Sequence, residues 1–426
     1  MSYRRAIAGW LLSVAIIAAV AHTLFPGFPK TAIGLLTWSA GLLLMPDISL
    51  QTQRQVFILF MVGLIGIAWG LIQQVSVDWQ MILSGNALLL GMLAAVSFLR
   101  LITRPDTEAG EVLPSGRRAV WSTLIGVHLF GAVINLSSVF IMGDRISRLG
   151  RLSQIQTVIL TRGFSAAAFW SPFFAAMAAA LTYAPGASLP QIWLMGMPLA
   201  AFALLMTALG CQRSDNFTGY PMHISALTLP ALLALGVLLL HQWKSDWHIL
   251  GIICLLAPTL SLLVLFIRFK HPLTRIQNHI TVDLPGMQNE LSLFLAAGVM
   301  AAGLNAVFAA FGGWLPFSSF GGIEASLVLF FMVFTSILGV HPVINIAALG
   351  TLLAPLNPNG TLLAMTFLSA WAIGVASSPY SGINLSMQGR YRQQGLDSLK
   401  WNGIYSAVML LLSMTALNLF DLFGLD

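Results

Sequence analysis

The stretch AWAIGVASSPYSGINLSMQ, Ala370–Gln388, decides how the chain folds. Most of it is apolar, so it belongs in a bilayer. Its middle holds Ser377, Ser378, Pro379, Ser381, Gly382 and Asn384, poor material for an unbroken helix. Pro379 lacks an N–H and its ring crowds the carbonyl four residues back, and Gly382 adds backbone freedom. A spanning segment that breaks at mid-depth frees N–H and C=O groups. Hydrocarbon tolerates that only where protein or a wet cavity surrounds them. Breaks of this sort hold solute and ion sites in many secondary transporters.

Working outward, a second stretch has the same character. Arg162–Ala180 reads RGFSAAAFWSPFFAAMAAA, with Ser171-Pro172 where the first has Ser378-Pro379. Upstream of each lies another echo: Val133-Ile134-Asn135-Leu136 and Val343-Ile344-Asn345-Ile346. Asn135 precedes Ser171 by 36 residues, and Asn345 precedes Ser378 by 33. Two echoes in the same order at similar spacing point to an internal duplication.

The whole chain agrees with a membrane setting. Of 426 residues, 58% are hydrophobic and 8% charged, against about 25% charged in an ordinary soluble domain. Mean hydropathy is +0.86. The expected fold is an all-α polytopic membrane protein of ten to twelve transmembrane segments, with two inverted repeats that contain broken or re-entrant helices. Residues 1–118 hold N-terminal spans at roughly 6–25, 31–47, 54–73 and 80–102. Residues 119–268 form the first repeat, with spans near 119–143, 163–185, 190–210, 222–242 and 247–268. Residues 269–290 read as a cytoplasmic linker. Residues 291–426 form the second repeat, with segments near 291–313, 319–338, 340–356, 361–386 and 402–422. Arg4 and Arg5 hold the N-terminus inside by the positive-inside rule. Residues 144–163, with Arg145, Arg148 and Arg151 three apart, read as one amphipathic interfacial helix.

The net charge of +6 follows from Lys and Arg in loops, so no nucleic-acid partner is implied. Two distant cysteines, Cys211 and Cys254, support neither a disulfide framework nor a thiolate metal site. HExxH, G-x-S-x-G and P-loop motifs are absent, so the chain reads as no enzyme and no ATP-driven pump. No cofactor is expected, apart from Na+ as a coupling ion.

The candidate solute- or ion-binding residues are Ser171, Pro172, Ser377, Ser378, Pro379, Ser381 and Asn384, because they sit at the breaks. A helix starting after a break offers free N–H groups and a positive dipole end to an anion. The competing reading is a proline kink capped by serine. Asn135 and Asn345 join the candidates as amides in apolar surroundings, with interhelical hydrogen bonding as the alternative. His128 and His341, each in Gly-Val-His, are candidate proton carriers or packing residues. Arg162 either gates an anionic solute or anchors a span. Glu324 either carries a proton or complements the dipole of a helix start.

This organisation resembles the ion-transporter superfamily over residues 119–422. That group includes the divalent-anion:sodium symporters, the arsenical-pump-type permeases and the large membrane subunit of TRAP transporters. The symporters carry Ser-Asn-Thr at the tips, where this chain has Ser171-Pro172-Phe173 and Ser378-Pro379-Tyr380. The resemblance implies inverted repeats, binding at hairpin tips, elevator-like movement and often a homodimer. Together these readings anticipate a secondary transporter of a small, anionic solute in the bacterial inner membrane, coupled to sodium or protons, with the lipid bilayer as its surroundings. The alternatives are a membrane enzyme or assembly factor handling a lipid-linked glycan, and a structural subunit of a membrane complex.

Overall fold

The computed structural model describes residues 3–103, 113–147, 150–211, 217–221, 228–312 and 315–424. Throughout these residues the fold is helical; the one pairing of extended residues is an isolated bridge between Ser115 and Thr218. Eight described helical runs are long and apolar enough to cross a membrane, and three shorter apolar helices accompany them. The chain is an all-α polytopic membrane protein.

Two compact units share the chain. Unit 1 comprises residues 1–104, 231–316 and 347–352; unit 2 comprises 105–230, 317–346 and 353–426. In chain order, unit 1 opens with α1 (Tyr3–Leu24), α2 (Lys30–Leu44), α3 (Leu50–Ile72), α4 (Trp79–Ser84) and α5 (Ala87–Ser97). Unit 2 follows with α6 (Gly116–Ile134), α7 (Ser137–Ile146), α8 (Gln154–Ala166), α9 (Ala175–Tyr183) and α10 (Leu189–Cys211). The chain returns to unit 1 with α11 (Thr228–Trp243), α12 (Ile249–Arg268), α13 (Pro272–Asn278) and α14 (Gln288–Ala310). It then runs through α15 (Gly322–Ile337), α16 (Pro342–Leu353), α17 (Gly360–Ser377), α18 (Gly382–Tyr391) and α19 (Asp397–Leu422).

Unit 1 is tightest where α3 meets α14. Gly63, Gly66 and Gly70 lie against Val299, Gly303 and Ala306, and a methyl group on Gly70 would come 2.7 Å from that of Ala306. Small residues let the two backbones touch, the usual means of gripping helices where lipid competes with every apolar contact. Within the segment 269–290, α13 leads through π and 3-10 turns into α14. His279 docks it. The ring is fully buried, with Nε2 3.0 Å from Ser97 Oγ, Nδ1 3.3 Å from Asp283 Oδ2 and its edge against Phe98.

In unit 2 two expected elements are split. The predicted span 119–143 breaks at Asn135, whose φ is +53°, so α6 and α7 are separate helices joined by a turn. Asn tolerates that half of φ space better than a branched residue does. The single amphipathic helix expected over 144–163 is also absent. α7 stops at Ile146, and α8 begins afresh at Ser153, where a reciprocal capping box with Gln156 satisfies both N–H groups. Arg148 lies outside the described residues, as do Arg104, Asp106, Glu108 and Glu111 of the polar loop near 103–118.

The order of elements in unit 2 then repeats. A helix, a turn and a short helix (α6, α7) lead to a helix broken at Ser171 (α8, α9) and a long helix (α10). The same succession runs through α15, α16, α17, the Ser378 break, α18 and α19.

Candidate functional site

The two Ser-Pro breaks are built from the same hydrogen bonds. In each, the serine N–H closes the preceding helix by bonding the carbonyl four residues back: Ser171 to Ala167 at 2.9 Å, and Ser378 to Gly374 at 2.8 Å. The serine hydroxyl then accepts the N–H two residues on, from Phe173 and from Tyr380, both at 3.3 Å. Finally the serine carbonyl accepts the N–H three residues on, from Phe174 and Ser381. Pro172 and Pro379 occupy the one position in each turn whose missing N–H goes unneeded.

The turns that precede the breaks also reach them. Asn135 Nδ2 donates to the Phe173 carbonyl at 3.3 Å. Gly339, at φ +106° in the turn before α16, lies against the Tyr380 ring, where a Cβ would sit 3.2 Å from the ring edge. Phe173 and Tyr380 hold equivalent places, two residues after their serines. The amide of Asn345 faces elsewhere, donating to the Met332 carbonyl at 3.3 Å and Thr335 Oγ1 at 2.9 Å.

Beyond this shared frame the breaks diverge. The first is sealed: Ser171, Pro172, Phe173 and Phe174 are all buried. Its polar groups are met by neighbouring helices. Ser171 Oγ donates to the Ala132 carbonyl on α6. Trp193 Nε1 donates to the Trp170 carbonyl at 2.8 Å. Trp170 Nε1 donates to His128 Nε2 at 3.1 Å, while His128 Nδ1–H donates to the Gly163 carbonyl at 3.0 Å. That pair of bonds assigns the neutral Nδ1–H tautomer, because Nε2 needs its lone pair to accept. His128 thereby positions the break.

The second break is polar. The last four carbonyls of a helix have no partner within it, and here all four find one. Gly374 takes the Ser378 N–H. Val375 takes Ser381 Oγ at 2.9 Å and Asn384 Nδ2 at 3.2 Å. Ala376 takes Asn384 Nδ2 at 3.2 Å and Asn402 Nδ2 at 2.8 Å. Ser377 takes Ser398 Oγ at 3.4 Å. Asn384 also donates to the Ser378 carbonyl at 2.9 Å, so the two N–H groups of one amide are shared among three carbonyls. Ser381 caps α18 through the Asn384 N–H, and Ser377 Oγ bonds back to Ile373. Yet this break is open: Gly382 is exposed, and Tyr380 is 51% exposed against 2% for Phe173.

Arg162 connects the two. Its Nε donates to Asn402 Oδ1 and its Nη2 to the Trp401 carbonyl, both at 2.7 Å, and the guanidinium lies 4.5 Å over the Tyr405 ring. Because Asn402 Nδ2 holds the Ala376 carbonyl, one amide bridges the α8 arginine to the α17 break. Those partners of Arg162 are neutral; no ion pair joins it to a carboxylate among the described residues. At the far end of α18, Arg390 grips Asp144 of α7 through both carboxylate oxygens, and the Tyr391 hydroxyl donates to the same group at 2.9 Å. Gly143 makes room, since a Cβ there would meet Tyr391.

The remaining candidates stand apart. His341 accepts the Val343 N–H on Nδ1 at 3.2 Å, which starts α16, and meets Trp371 edge-on at 5.7 Å. Glu324 accepts the Gly321 N–H at 2.9 Å in the first turn of α15, beside Asp421, which takes the Gly322 N–H. Both carboxylates complement that helix start. Asn402, Ser398 and Trp193 are the site residues that sequence reasoning passes over. Asn402 is an amide at the first position of a predicted span, where an interfacial amide is ordinary.

No family model matches the sequence, and no curated protein matches it. Among solved structures, the YdaH transporter of Alcanivorax borkumensis, whose structure was described as revealing an unusual topology, is similar over 87% of this chain and 85% of its own, at 12% identity and a TM-score of 0.45.

Proposed function

We propose that the chain is a secondary transporter of a small anionic solute, coupled to sodium or protons, in a bacterial inner membrane. The observation that carries this reading is Arg162, half-buried with neutral neighbours around its guanidinium and tied through Asn402 to an open helix break. An ionisable group in a membrane protein's interior marks a solute path by default, and a cation with no counter-ion among the described residues has room for an anionic one. The α18 N-terminus adds a positive dipole end at the break. On this reading the solute sits at the second break, and the first serves as its sealed counterpart.

The matched hydrogen bonds of the two breaks support an internal duplication. We read it as inverted, in keeping with the superfamily the sequence resembles. An elevator-like movement would carry both breaks together, since both lie in unit 2. A homodimer and a sodium requirement belong to the same reading.

The test is thermal unfolding of the purified protein against a panel of small anions, including sulfate, mono- and dicarboxylates, followed by counterflow in proteoliposomes with any that stabilise. At least one anion should stabilise wild type, and Arg162→Gln should lose that response by about tenfold in affinity, the loss of one charge-assisted bond. A panel without a stabilising anion, or an equal response in Arg162→Gln, sinks the reading. Variants at the second break that alter stability alone would favour a structural subunit.

A further inference from the structure

One end of unit 1 gathers three histidines and a lysine from four helix ends. His22 lies in the last turn of α1 and His241 in the last turn of α11. They end their helices alike: His22 Nδ1–H donates to the Phe28 carbonyl at 2.7 Å, and His241 Nδ1–H to the Trp247 carbonyl at 3.2 Å. Each bond spans six residues and leaves Nε2 without a hydrogen-bond partner among the described residues. His248 follows Trp247 directly and precedes α12 with no side-chain capping bond. Gly251, in the first turn of α12, lies directly on Thr23, so His248 and His22 share this corner. Lys30 begins α2 two residues after Phe28 and donates to the Gly85 carbonyl at 3.4 Å.

All four side chains are partly or fully accessible. The same end displays Phe25, 64% exposed, and Trp243, 74% exposed, with the Lys244 ammonium 5.3 Å over the Trp243 ring. Exposed aromatics at helix ends of a membrane protein mark headgroup depth. The site therefore faces the layer in which lipid phosphates lie.

We infer that His22, His241, His248 and Lys30 form a pH-dependent binding site for a phosphate group at the membrane interface. Burial, and then Lys30, His22 and His241, holds the His248 imidazole below the usual histidine range. A bound phosphate reverses that repulsion, so binding takes up protons and strengthens as pH falls. Among the described residues the other charges at this end are Lys244, Asp246 in the α11–α12 loop, and Asp78, whose carboxylate caps α4 by accepting the Met81 N–H. With the rings neutral these nearly cancel; with the rings protonated the cluster is strongly cationic.

The experiment is thermal unfolding of the full chain in maltoside detergent micelles, which carry no phosphate, with and without phosphatidylglycerol, and separately with inorganic phosphate. Phosphate in either form should raise the midpoint more at about pH 5.5 than at about pH 8, either side of the ordinary imidazole value of about 6.5. A response to phosphatidylglycerol alone assigns the site to lipid; a response to inorganic phosphate as well assigns it to the free anion too. The triple variant His22→Gln, His241→Gln, His248→Gln should lose the pH dependence, and Lys30→Gln should weaken the response at both pH values. Should the triple variant fail to fold, His248→Gln alone should lower affinity about fivefold at the lower pH, one interfacial charge's worth. No response to either form, or an undiminished response in His248→Gln and Lys30→Gln, overturns the inference.

Discussion

The two Ser-Pro breaks start from the same three backbone bonds and end in different places. The first is closed over by Phe173, Phe174 and the Trp170–His128 pair. The second is lined with Ser381, Asn384, Asn402 and Ser398, and leaves Tyr380 half exposed. A Ser-Pro turn is thus a frame, and the residues three and six places beyond the serine decide its use. In the first break those are Phe174 and Met177; in the second they are Ser381 and Asn384. Apolar residues there make a kink packed like core. Polar ones make a kink whose groups stay satisfied while its face is open.

The broadest contrast is one of access. Cys211 and Cys254, the two native cysteines, are both buried, so the background for thiol labelling is low. Tyr380→Cys should react with a water-soluble maleimide in membranes, and Phe173→Cys should not. An unreactive Tyr380→Cys would place the second break against lipid and remove it as a solute site.

Next in size is the amide clamp. Asn384→Leu should destabilise by about 2–3 kcal/mol, the loss of two buried amide N–H donors at about 1–1.5 kcal/mol each, read as a fall in unfolding midpoint. Met177→Leu, its counterpart, should cost about 1 kcal/mol or less, as volume-conserving swaps do. Equal costs would mean that the two positions do the same job. A smaller difference separates the serines. Ser171→Ala loses both the bond to Ala132 and that from Phe173, about 2 kcal/mol, whereas Ser378→Ala loses one, about 1 kcal/mol. If Ser378→Ala costs more than Ser171→Ala, the hydroxyl of the open break has a partner beyond Tyr380.

The sequence makes the breaks themselves legible, because Pro172 and Pro379 in apolar surroundings admit few other readings. It makes the membrane class legible through hydropathy alone. It hides which break is open, since that depends on groups remote in the chain: Ala132 for Ser171, and Asn402 for Ala376. It hides the break at Asn135 as well, where the run 119–143 stays apolar and only a positive φ stops the helix. The helical character of 269–290 escapes for a similar reason. Its docking rests on His279, buried between Asp283 and Ser97, and Ser97 is remote in the chain.

The bond between Arg162 and Asn402 joins residues 240 positions apart, and this bears on how the protein is made. At ribosomal rates of about 5–20 residues per second, Arg162 enters the membrane on the order of tens of seconds before Asn402 exists. During that interval its guanidinium lacks Asn402, Trp401 and Tyr405 alike, so the translocon or its own neighbours must shelter the charge. The last helix completes the arginine's surroundings, and a chain stopped short of Trp401 carries a charge that quality control can recognise as unfinished.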